Sequence, residues 1–268
     1  MPILRIDYEK CKNSKICLIT CPRCFRQDKE QEKVIFEDPL NICNLCGRCI
    51  AMCPTDAILY EDMGDVLTFE GVQDPSMLIS YETMHKFMSA KRSIRGFKKK
   101  KIPRAIMEKV LNSMKYAPTG ANIRTLECTL ISDDEIIKKL SESVMDDIIA
   151  SNNPRYSENL KKAKEFGFDA IFYNAPHVMI IHSINPNDGM NATISLTYGM
   201  LSAQSLGLGT CWIGLAHGVL ITNKEIREKI AGIQGRVWGV IIIGYPAQKF
   251  FRVPPRPPIK TKGLDELE

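Results

Sequence analysis

The sequence lacks a long apolar run, a strong charge of one sign and an apolar leader, and each absence excludes a class of protein. Its longest apolar stretch, around residues 237–243, is far too short to cross a bilayer. The formal net charge is only +5, and much of it comes from the lysine run at residues 98–101, which is typical of a solvated surface. The N-terminal residues carry charges and no apolar segment. We therefore expect a cytoplasmic protein that binds neither membranes nor nucleic acid.

Side chains that usually carry acid–base or nucleophilic catalysis are also scarce. The four histidines, His85, His177, His182 and His217, show no metal-ligand spacing. No paired carboxylates and no serine–histidine arrangement stand out, and no G-x-G-x-x-G fingerprint for a nicotinamide cofactor is present. The sequence therefore gives no support to catalysis by side chains alone.

Cysteine is abundant in one region only. Eight of the ten cysteines lie between Cys11 and Cys53, and the other two, Cys128 and Cys211, are expected to be small core thiols. An even number of cysteines in a short segment suggests disulfides only in a secretory context, which is not visible here. In a reducing compartment, metal ligation is the better interpretation.

A repeat of 32 residues organises this region. The run Cys43-x2-Cys46-x2-Cys49-x3-Cys53-Pro54 is the pattern that wraps a four-iron cluster. A shift by 32 residues superimposes four of its positions on Cys11, Cys17, Cys21 and Pro22, whereas Cys46 falls on Ser14. Zinc is the alternative metal, but zinc sites explain neither the three-cysteine run nor the two Cys-Pro endings. The repeat thus favours iron–sulfur clusters.

The segment resembles bacterial two-cluster ferredoxins over roughly its full length. The resemblance implies one [4Fe-4S] cluster, held by Cys21, Cys43, Cys46 and Cys49. It implies a second cluster, [4Fe-4S] or [3Fe-4S], held by Cys11, Cys17 and Cys53. The fourth corner of the second cluster is open among three alternatives: a three-iron cluster, ligation by Ser14, or recruitment of Cys24. Because Cys24 closely follows Cys21, we expect it near the first cluster, and we favour a three-iron or labile second site.

The rest of the chain has the composition of an ordinary domain. We predict a ferredoxin-like domain at residues 1–62, a linker at 63–83 and a second domain at 84–268. Apolar spacing predicts helices at residues 102–116 and 191–206. Continuous apolar runs predict buried strands at residues 128–132, 177–183 and 237–243, and the proline-rich tail at 253–258 is expected to be extended.

Several short motifs follow one another in the second domain. Lys91-Arg92-Ser93-Ile94-Arg95 brings together three cations and a hydroxyl, which suits phosphate binding. The later motifs are Ala117-Pro118-Thr119-Gly120-Ala121-Asn122, Phe172-Tyr173-Asn174-Ala175-Pro176, Leu206-Gly207-Leu208-Gly209-Thr210-Cys211-Trp212-Ile213-Gly214, Gly244-Tyr245-Pro246-Ala247 and the tail residue Arg256. Each alone is an ordinary loop, and the specificity lies in their order.

The ordered set resembles the nitroreductase family of FMN enzymes over residues 84 to about 260. The resemblance implies an α+β fold with a mixed central sheet and flanking helices, in an intertwined homodimer with FMN at the interface. It implies that the FMN phosphate and ribityl chain are held by Lys91, Arg92, Ser93 and Arg95, and that Arg256 closes on the phosphate. It also implies a loop from the neighbouring subunit at Pro118, Thr119 and Gly120, and contacts along the flavin ring from Trp212, Ile213 and Gly214. In this family no side chain is needed as a catalyst, because the flavin carries the chemistry.

The two resemblances together predict an iron–sulfur flavoprotein oxidoreductase. Electrons would pass from reduced ferredoxin or a similar low-potential donor, through the clusters and FMN, to a small organic acceptor such as a nitroaromatic, quinone or activated alkene. The alternatives are an electron carrier or redox sensor without an organic substrate, and a flavin-modifying or dehalogenating enzyme of the same fold. Residues 122–126 read Asn-Ile-Arg-Thr-Leu, where family members often have Asn-x-Gln-Pro-Trp. The substrate class therefore stays open, as does the choice between ferredoxin and NAD(P)H.

Overall fold

The computed structural model describes residues 3–264, and the chain divides into two compact units. The first unit is Met1–Leu78 with Thr119–Arg124, and the second is Ile79–Pro118 with Thr125–Glu268. The segment 119–124 thus belongs to the first unit, although the chain on both sides of it belongs to the second. The division into domains at 1–62, 63–83 and 84–268 stays a prediction, and its outermost residues, 1–2 and 265–268, lie outside the described part.

Short elements related by the 32-residue repeat build the first unit. They are β1 (Ile3–Ile6), α1 (Ile16–Thr20), β2 (Phe25–Gln27), β3 (Val34–Phe36), α2 (Arg48–Met52), β4 (Ile58–Tyr60) and a 3-10 turn (Pro75–Met77). Strand β1 pairs with β4 and β2 with β3, both antiparallel. The bounds of α2 are those of α1 shifted by 32 residues. The repeat in the sequence is therefore a repeat in the structure.

The core of this unit is small. Phe25, Val34, Ile50 and Ile58 are buried at its centre, and several cysteines pack against them. A core of this size in a unit of about 80 residues gives little stability by itself, and natural domains of this size usually add metal sites or disulfides. The size of the core is consistent with cofactors that also stabilise the fold.

The second unit is an α+β domain. Its elements are α3 (Tyr81–Ser89), α4 (Arg104–Met114), β5 (Glu127–Ile131), α5 (Asp134–Ala150), α6 (Ser157–Glu165), β6 (His177–Ser183), α7 (Gly189–Ser205), β7 (Gly209–Trp212), α8 (Gly214–Thr222), a π-helical turn (Ile226–Ile230) and β8 (Arg236–Gly244). The sheet has the order β5-β6-β8-β7 with antiparallel neighbours. An isolated parallel bridge between Ser93 and Thr210 makes the pairing mixed. The predicted α+β fold is confirmed.

Helices cover both faces of this sheet. On β6, Val178 and Ile180 point into the core that contains side chains of α5, α6 and α8. Met179 and Ile181 point to the opposite face, where α4 and α7 pack. Because successive strand residues face opposite sides, a strand buried on both sides is apolar along most of its length. This explains the continuous apolar runs from which β6 and β8 were predicted.

Both predicted helices are present: α4 is two residues shorter at each end, whereas α7 begins two residues earlier and ends one residue earlier than predicted. Helix α4 begins after Pro103, whose fixed φ suits the position before a helix. Helix α7 is followed by Gly207 with φ +74°, a left-handed conformation that favours glycine at a helix end. The tail at residues 253–258 has neither helix nor strand. Among residues 3–264, no helix combines the length and apolar character needed to cross a membrane.

Candidate cofactor sites

Four cysteines converge in the first unit around a cavity of about 200 Å³. Cys21 follows α1, Cys43 and Cys46 precede α2, and Cys49 lies within α2. Burial and negative charge on the other three cysteines raise the pKa of the Cys49 thiol to about 11, although a hydrogen bond from the Ile50 backbone opposes them. Thiols crowded in this way resist ionisation unless a cation is bound. The four residues predicted for the [4Fe-4S] cluster are thus brought together, and they fit it.

Residues with a left-handed backbone conformation shape the loop around Cys46. Leu45 has φ +56° and Gly47 has φ +70°, so the chain turns sharply on either side of Cys46. In the first half of the repeat, Asn13 and Lys15 have φ +53° and +59° at the equivalent positions. The loop geometry is therefore duplicated together with the cysteines.

Asp38 supports the first cluster site, and the sequence patterns missed it. Its buried carboxylate accepts hydrogen bonds from the backbone N–H groups of Ile42 (2.7 Å) and Cys43 (2.9 Å). Short acidic side chains often fix a turn in this way. A single aspartate five residues before a predicted ligand cysteine has no spacing that distinguishes it in the sequence. The Sγ atoms of Cys24 and Cys43 and an Asp38 oxygen lie within 4.8 Å of one another.

The second set of cysteines borders a smaller cavity of about 10 Å³. Cys11, Cys17 and Cys53 line it, and Ser14 lies beside them. Backbone N–H groups of Asn13 and Ala57 donate to the Sγ atoms of Cys11 (3.4 Å) and Cys53 (3.3 Å), respectively. Amide hydrogen bonds to sulfur are among the interactions that tune iron–sulfur clusters.

The environments of these thiols differ from one another. Burial raises the pKa of Cys17, whereas at Cys53 hydrogen bonds from Ala57 and Thr55 outweigh burial and lower the pKa. Charge on Cys11 and Cys53 also raises the pKa of Cys17. Because the three cysteines line one cavity, they fit a second metal centre, whose fourth ligand stays open. Cys24 lines the cavity of the other site.

A cationic site in the second unit lies along β7. The backbone N–H of Ile94 donates to the carbonyl oxygen of Thr210 at 3.0 Å, and Ser93 forms its parallel bridge to the same residue. Lys91 Nζ donates to the carbonyl oxygens of Arg92 (2.8 Å) and Thr210 (3.5 Å). The opening motif is therefore held against the strand that ends at Trp212.

Two polar atoms of this site have no partner. Arg92 Nε and Thr210 Oγ1 are buried and form no hydrogen bond within residues 3–264. Neither Lys91 nor Arg92 has an ion pair with a carboxylate of that part of the chain. Burial lowers the pKa of Lys91; Cys211 opposes this effect and the charge of Arg92 adds to it. Buried cations without a counter-charge are costly. These residues therefore fit an anionic group such as a phosphate.

Only some of the other residues predicted to bind FMN lie next to the cationic site. Trp212, Ile213 and Gly214 continue directly from β7 into α8, next to the cationic site. Arg95 instead lies over the ring of Tyr173, with 5.8 Å between the guanidinium carbon and the ring centroid. Arg256 is exposed in the tail and forms no hydrogen bond or ion pair with the described residues. Its role stays a prediction.

His217 is a further candidate beside Trp212. The two rings meet edge to face with centroids 5.7 Å apart, and His217 Nε2 is buried without a hydrogen-bond partner in the described part of the chain. Burial lowers the pKa of His217, although a hydrogen bond with the Val237 backbone opposes this effect. From the sequence we expected a structural role, because a lone histidine carries no signal of its surroundings.

The loop predicted to reach a neighbouring subunit is divided between the units. Pro118 ends a stretch of the second unit, whereas Thr119 and Gly120 begin the segment that belongs to the first. Pro118 and Gly120 are exposed. Their predicted contact with FMN stays a prediction.

Two family models match separate parts of the chain. The family model described as "Nitroreductase family" matches residues 88–245, and the model of a 4Fe-4S binding domain matches residues 40–59. An uncharacterized ferredoxin of Methanocaldococcus jannaschii is 37% identical over 59 residues, which cover 22% of this chain and 40% of that protein. The chain thus spans less than half the length of that relative.

Two further relatives match a larger part of the chain. A protein of Archaeoglobus fulgidus named for NADH dehydrogenase or NAD(P)H nitroreductase activity is 27% identical over 163 residues, which cover 60% of this chain and 84% of that one. An iodotyrosine deiodinase of Haliscomenobacter hydrossis is 26% identical over 198 residues, which cover 68% and 88%.

Solved structures share the fold. A nitroreductase with bound FMN from Bacteroides fragilis has a TM-score of 0.56 and 23% identity, and the alignment covers 69% of this chain and 98% of that one. At this identity the likeness demonstrates the fold alone. The family model, in contrast, matches more than half of the sequence. The protein therefore belongs to the nitroreductase family.

Proposed function

We propose that the protein is an iron–sulfur flavoprotein oxidoreductase that takes electrons from a low-potential donor and reduces a small organic acceptor. The observation that carries the proposal is the presence, in one chain, of two cysteine sets and a cationic site with no carboxylate partner among residues 3–264. When bound, iron–sulfur clusters supply single electrons and FMN supplies two-electron reduction. A chain with both can join a one-electron donor to a two-electron reaction.

Different residues of the second unit would hold the phosphate end and the ring of FMN. Lys91 and Arg92 supply positive charge that has no carboxylate partner, which suits the phosphate group. The Thr210 hydroxyl is free to donate to an oxygen of the same ligand. The family resemblance adds Ser93 and Arg95 at the phosphate end, Trp212, Ile213 and Gly214 along the ring, and Arg256 from the tail.

The partners of the reaction follow from the same features. The cysteine sets favour reduced ferredoxin or a similar donor over NAD(P)H, because a nicotinamide could reduce FMN without any cluster. The family resemblance favours a homodimer in which residues 118–120 complete the flavin site of the other copy. An electron carrier or redox sensor without its own acceptor is the main alternative.

Anaerobic reduction tests the proposal. Protein purified without oxygen should contain FMN and seven or eight irons per chain, as the ligand sets imply. Reduced ferredoxin should reduce the flavin, and oxidised flavin should return when a nitroaromatic, a quinone or an activated alkene is added. Zinc in place of iron would contradict the proposal. Flavin reoxidation by none of these acceptors would favour the carrier or sensor.

Reductive dehalogenation is a second candidate, and the similarity to an iodotyrosine deiodinase favours it. The departure at residues 122–126 from the usual family sequence leaves room for a different acceptor. Halide release from an iodinated phenol, measured beside nitroaromatic reduction in the same preparation, separates the two candidates. Halide release faster than nitro reduction would make dehalogenation the better assignment.

A further inference from the structure

The side chain of Asn122 is attached to the loop that wraps the first cluster site. Its Nδ2 donates hydrogen bonds to the carbonyl oxygens of Asn44 and Leu45, each at 2.9 Å. Arg124 donates from its guanidinium to the carbonyl oxygen of Leu45 at 3.2 Å. Asn44 and Leu45 are the two residues between Cys43 and Cys46. Both side chains therefore hold the same cluster loop.

The backbone of the segment is shaped to present this amide. Ala121 and Asn122 have φ +51° and +56°. Left-handed conformations are uncommon outside glycine, although asparagine tolerates them better than most residues. Two consecutive residues in this conformation persist only where contacts with their surroundings stabilise them. The contacts of Asn122 and Arg124 with the cluster loop meet that requirement.

The residue that follows the segment 119–124 is also held by a hydrogen bond. Thr125 Oγ1 donates to Asp188 Oδ2 at 2.6 Å. Asp188 is completely buried, and although burial raises its pKa, hydrogen bonds from Thr125, Asn191 and Ser183 lower it overall. An ionised, hydrogen-bonded carboxylate is a firm anchor. Only Ile123 and Arg124 separate this anchor from Asn122.

We infer that Asn122 is a positioning residue for the cluster bound by Cys21, Cys43, Cys46 and Cys49, and that it raises the reduction potential of this cluster. A trans peptide directs its C=O and N–H in opposite directions. With the carbonyls of Asn44 and Leu45 held by Asn122, the N–H groups of Leu45 and Cys46 point away from it. Amide groups fixed near cluster sulfur stabilise the more negative, reduced state. The inference rests on the proposed function, because it requires this cluster to be bound.

Two substitutions test this role. Asn122→Gly deletes the amide and keeps the left-handed backbone without strain. Asn122→Asp keeps the shape and removes both donors. For each, we expect the midpoint potential of this cluster to fall by an amount that corresponds to about a tenfold change in the one-electron equilibrium, about 59 mV. The measurement is an anaerobic redox titration followed by EPR, which also records the other cluster.

Asn152→Gly is the matched control. Asn152 also has a left-handed backbone, with φ +50°, and its side chain forms no hydrogen bond with the described residues. We expect its cluster potentials to equal those of the original protein. Loss of the first cluster alone from both Asn122 variants, with FMN and the second cluster retained, would also support the inference.

The inference can fail separately from the proposed function. If both Asn122 variants keep this cluster at its original potential, Asn122 does not position it, even though the protein still transfers electrons. Loss of FMN and both clusters together would indicate general unfolding and would equally overturn a role confined to this loop. Absence of clusters from the original protein would instead contradict the proposed function itself.

Discussion

Ser93 and Thr210 pair in a parallel bridge, and this pairing places the cationic motif of residues 91–95 beside β7. The N–H of Ile94 reinforces it by donating to the carbonyl oxygen of Thr210. Because β7 is itself hydrogen-bonded to β8, the motif is attached to the sheet of the second unit. A flexible loop could not hold two unpaired cations at fixed positions.

The first prediction concerns phosphate binding. Arg92→Ala should lower FMN affinity by ten- to a hundredfold, because a charge-assisted hydrogen bond contributes about 1.5–3 kcal/mol. Arg256→Ala should have a similar effect if the tail closes on the ligand. Fluorescence titration of FMN into the flavin-free protein measures both. Arg104→Ala, at an exposed residue of α4 paired with Glu108, is the control and should bind FMN normally. Unchanged affinity in both test variants would remove these residues from the site.

The second prediction concerns the open corner of the second cluster. Ser14→Cys should convert a three-iron cluster to a four-iron cluster, because Ser14 lies in the cavity with Cys11, Cys17 and Cys53. The EPR signal of the oxidised three-iron cluster should disappear, and iron should rise to about eight per chain. Cys24→Ala should keep that signal, because Cys24 lines the other cavity. A Ser14→Cys variant with an unchanged spectrum would place the open corner elsewhere.

The third prediction concerns the electron route. Cys46→Ala removes a ligand from the first cluster and should abolish flavin reduction by ferredoxin. FMN should still bind and accept electrons from a direct chemical reductant, since the cationic site lies in the second unit. Cys128 was expected in the core, but it is exposed on β5, so Cys128→Ala is the control and should behave normally. If ferredoxin reduces the Cys46→Ala flavin at the original rate, the clusters are structural and NAD(P)H becomes the expected donor.

The fourth prediction is a pH dependence of stability from His177. Its Nε2 accepts the N–H of Ile102 (2.9 Å), so its Nδ1 carries the proton and donates to Ser132 Oγ (2.7 Å). Burial, with a smaller contribution from Lys101, lowers the pKa of His177 to about 4. Between pH 6.5 and 4, His177 is protonated in the unfolded chain but stays neutral in the folded chain. The stability contributed by the neutral ring is complete above pH 6.5, and about 3 kcal/mol is lost as the pH falls to 4.

Tryptophan fluorescence during urea unfolding measures this loss. Both tryptophans, Trp212 and Trp238, lie in the second unit, so acid damage to the clusters does not obscure the signal. His177→Gln should be less stable at neutral pH and should lose this part of the pH dependence. His85→Gln, at an exposed position of α3, should keep it. An equal pH dependence in all three proteins would assign it to other groups.

The fifth prediction concerns assembly. If residues 118–120 complete the flavin site of a second copy, FMN binding and dimerisation are linked. Sedimentation should detect a dimer whose dissociation constant falls when FMN is added. A protein that binds FMN and stays monomeric at micromolar concentration would contradict this arrangement.

Patterns within short stretches of sequence predicted much of this structure. The 32-residue repeat predicted that the two cysteine runs are equivalent, and the structure has an equivalent helix in each half, α1 and α2. Continuous apolar runs gave β6 and β8 to within a residue at each end. In both cases the signal lies within about ten residues, where periodicity is informative.

Contacts between distant parts of the sequence were not predictable. Asn122 contacts residues 77 and 78 positions earlier, and nothing in the motif at 117–122 indicates a partner in the cysteine region. Asp38 and His217 were missed for a related reason, since one acidic residue or one histidine has no spacing that distinguishes it. Their surroundings exist only in the folded chain.

Residues 119–124 belong to the first unit although the chain on both sides of them belongs to the second, and this limits how the protein can be divided into fragments. A fragment that ends at Leu78 would lose Asn122 and Arg124 and would leave the carbonyls of Asn44 and Leu45 to water. A fragment that starts at Ile79 would contain residues 119–124 without the loop at residues 44–45 to which Asn122 and Arg124 donate hydrogen bonds. No single cut in the chain yields both units whole. A self-sufficient ferredoxin fragment would need this hexapeptide grafted onto it.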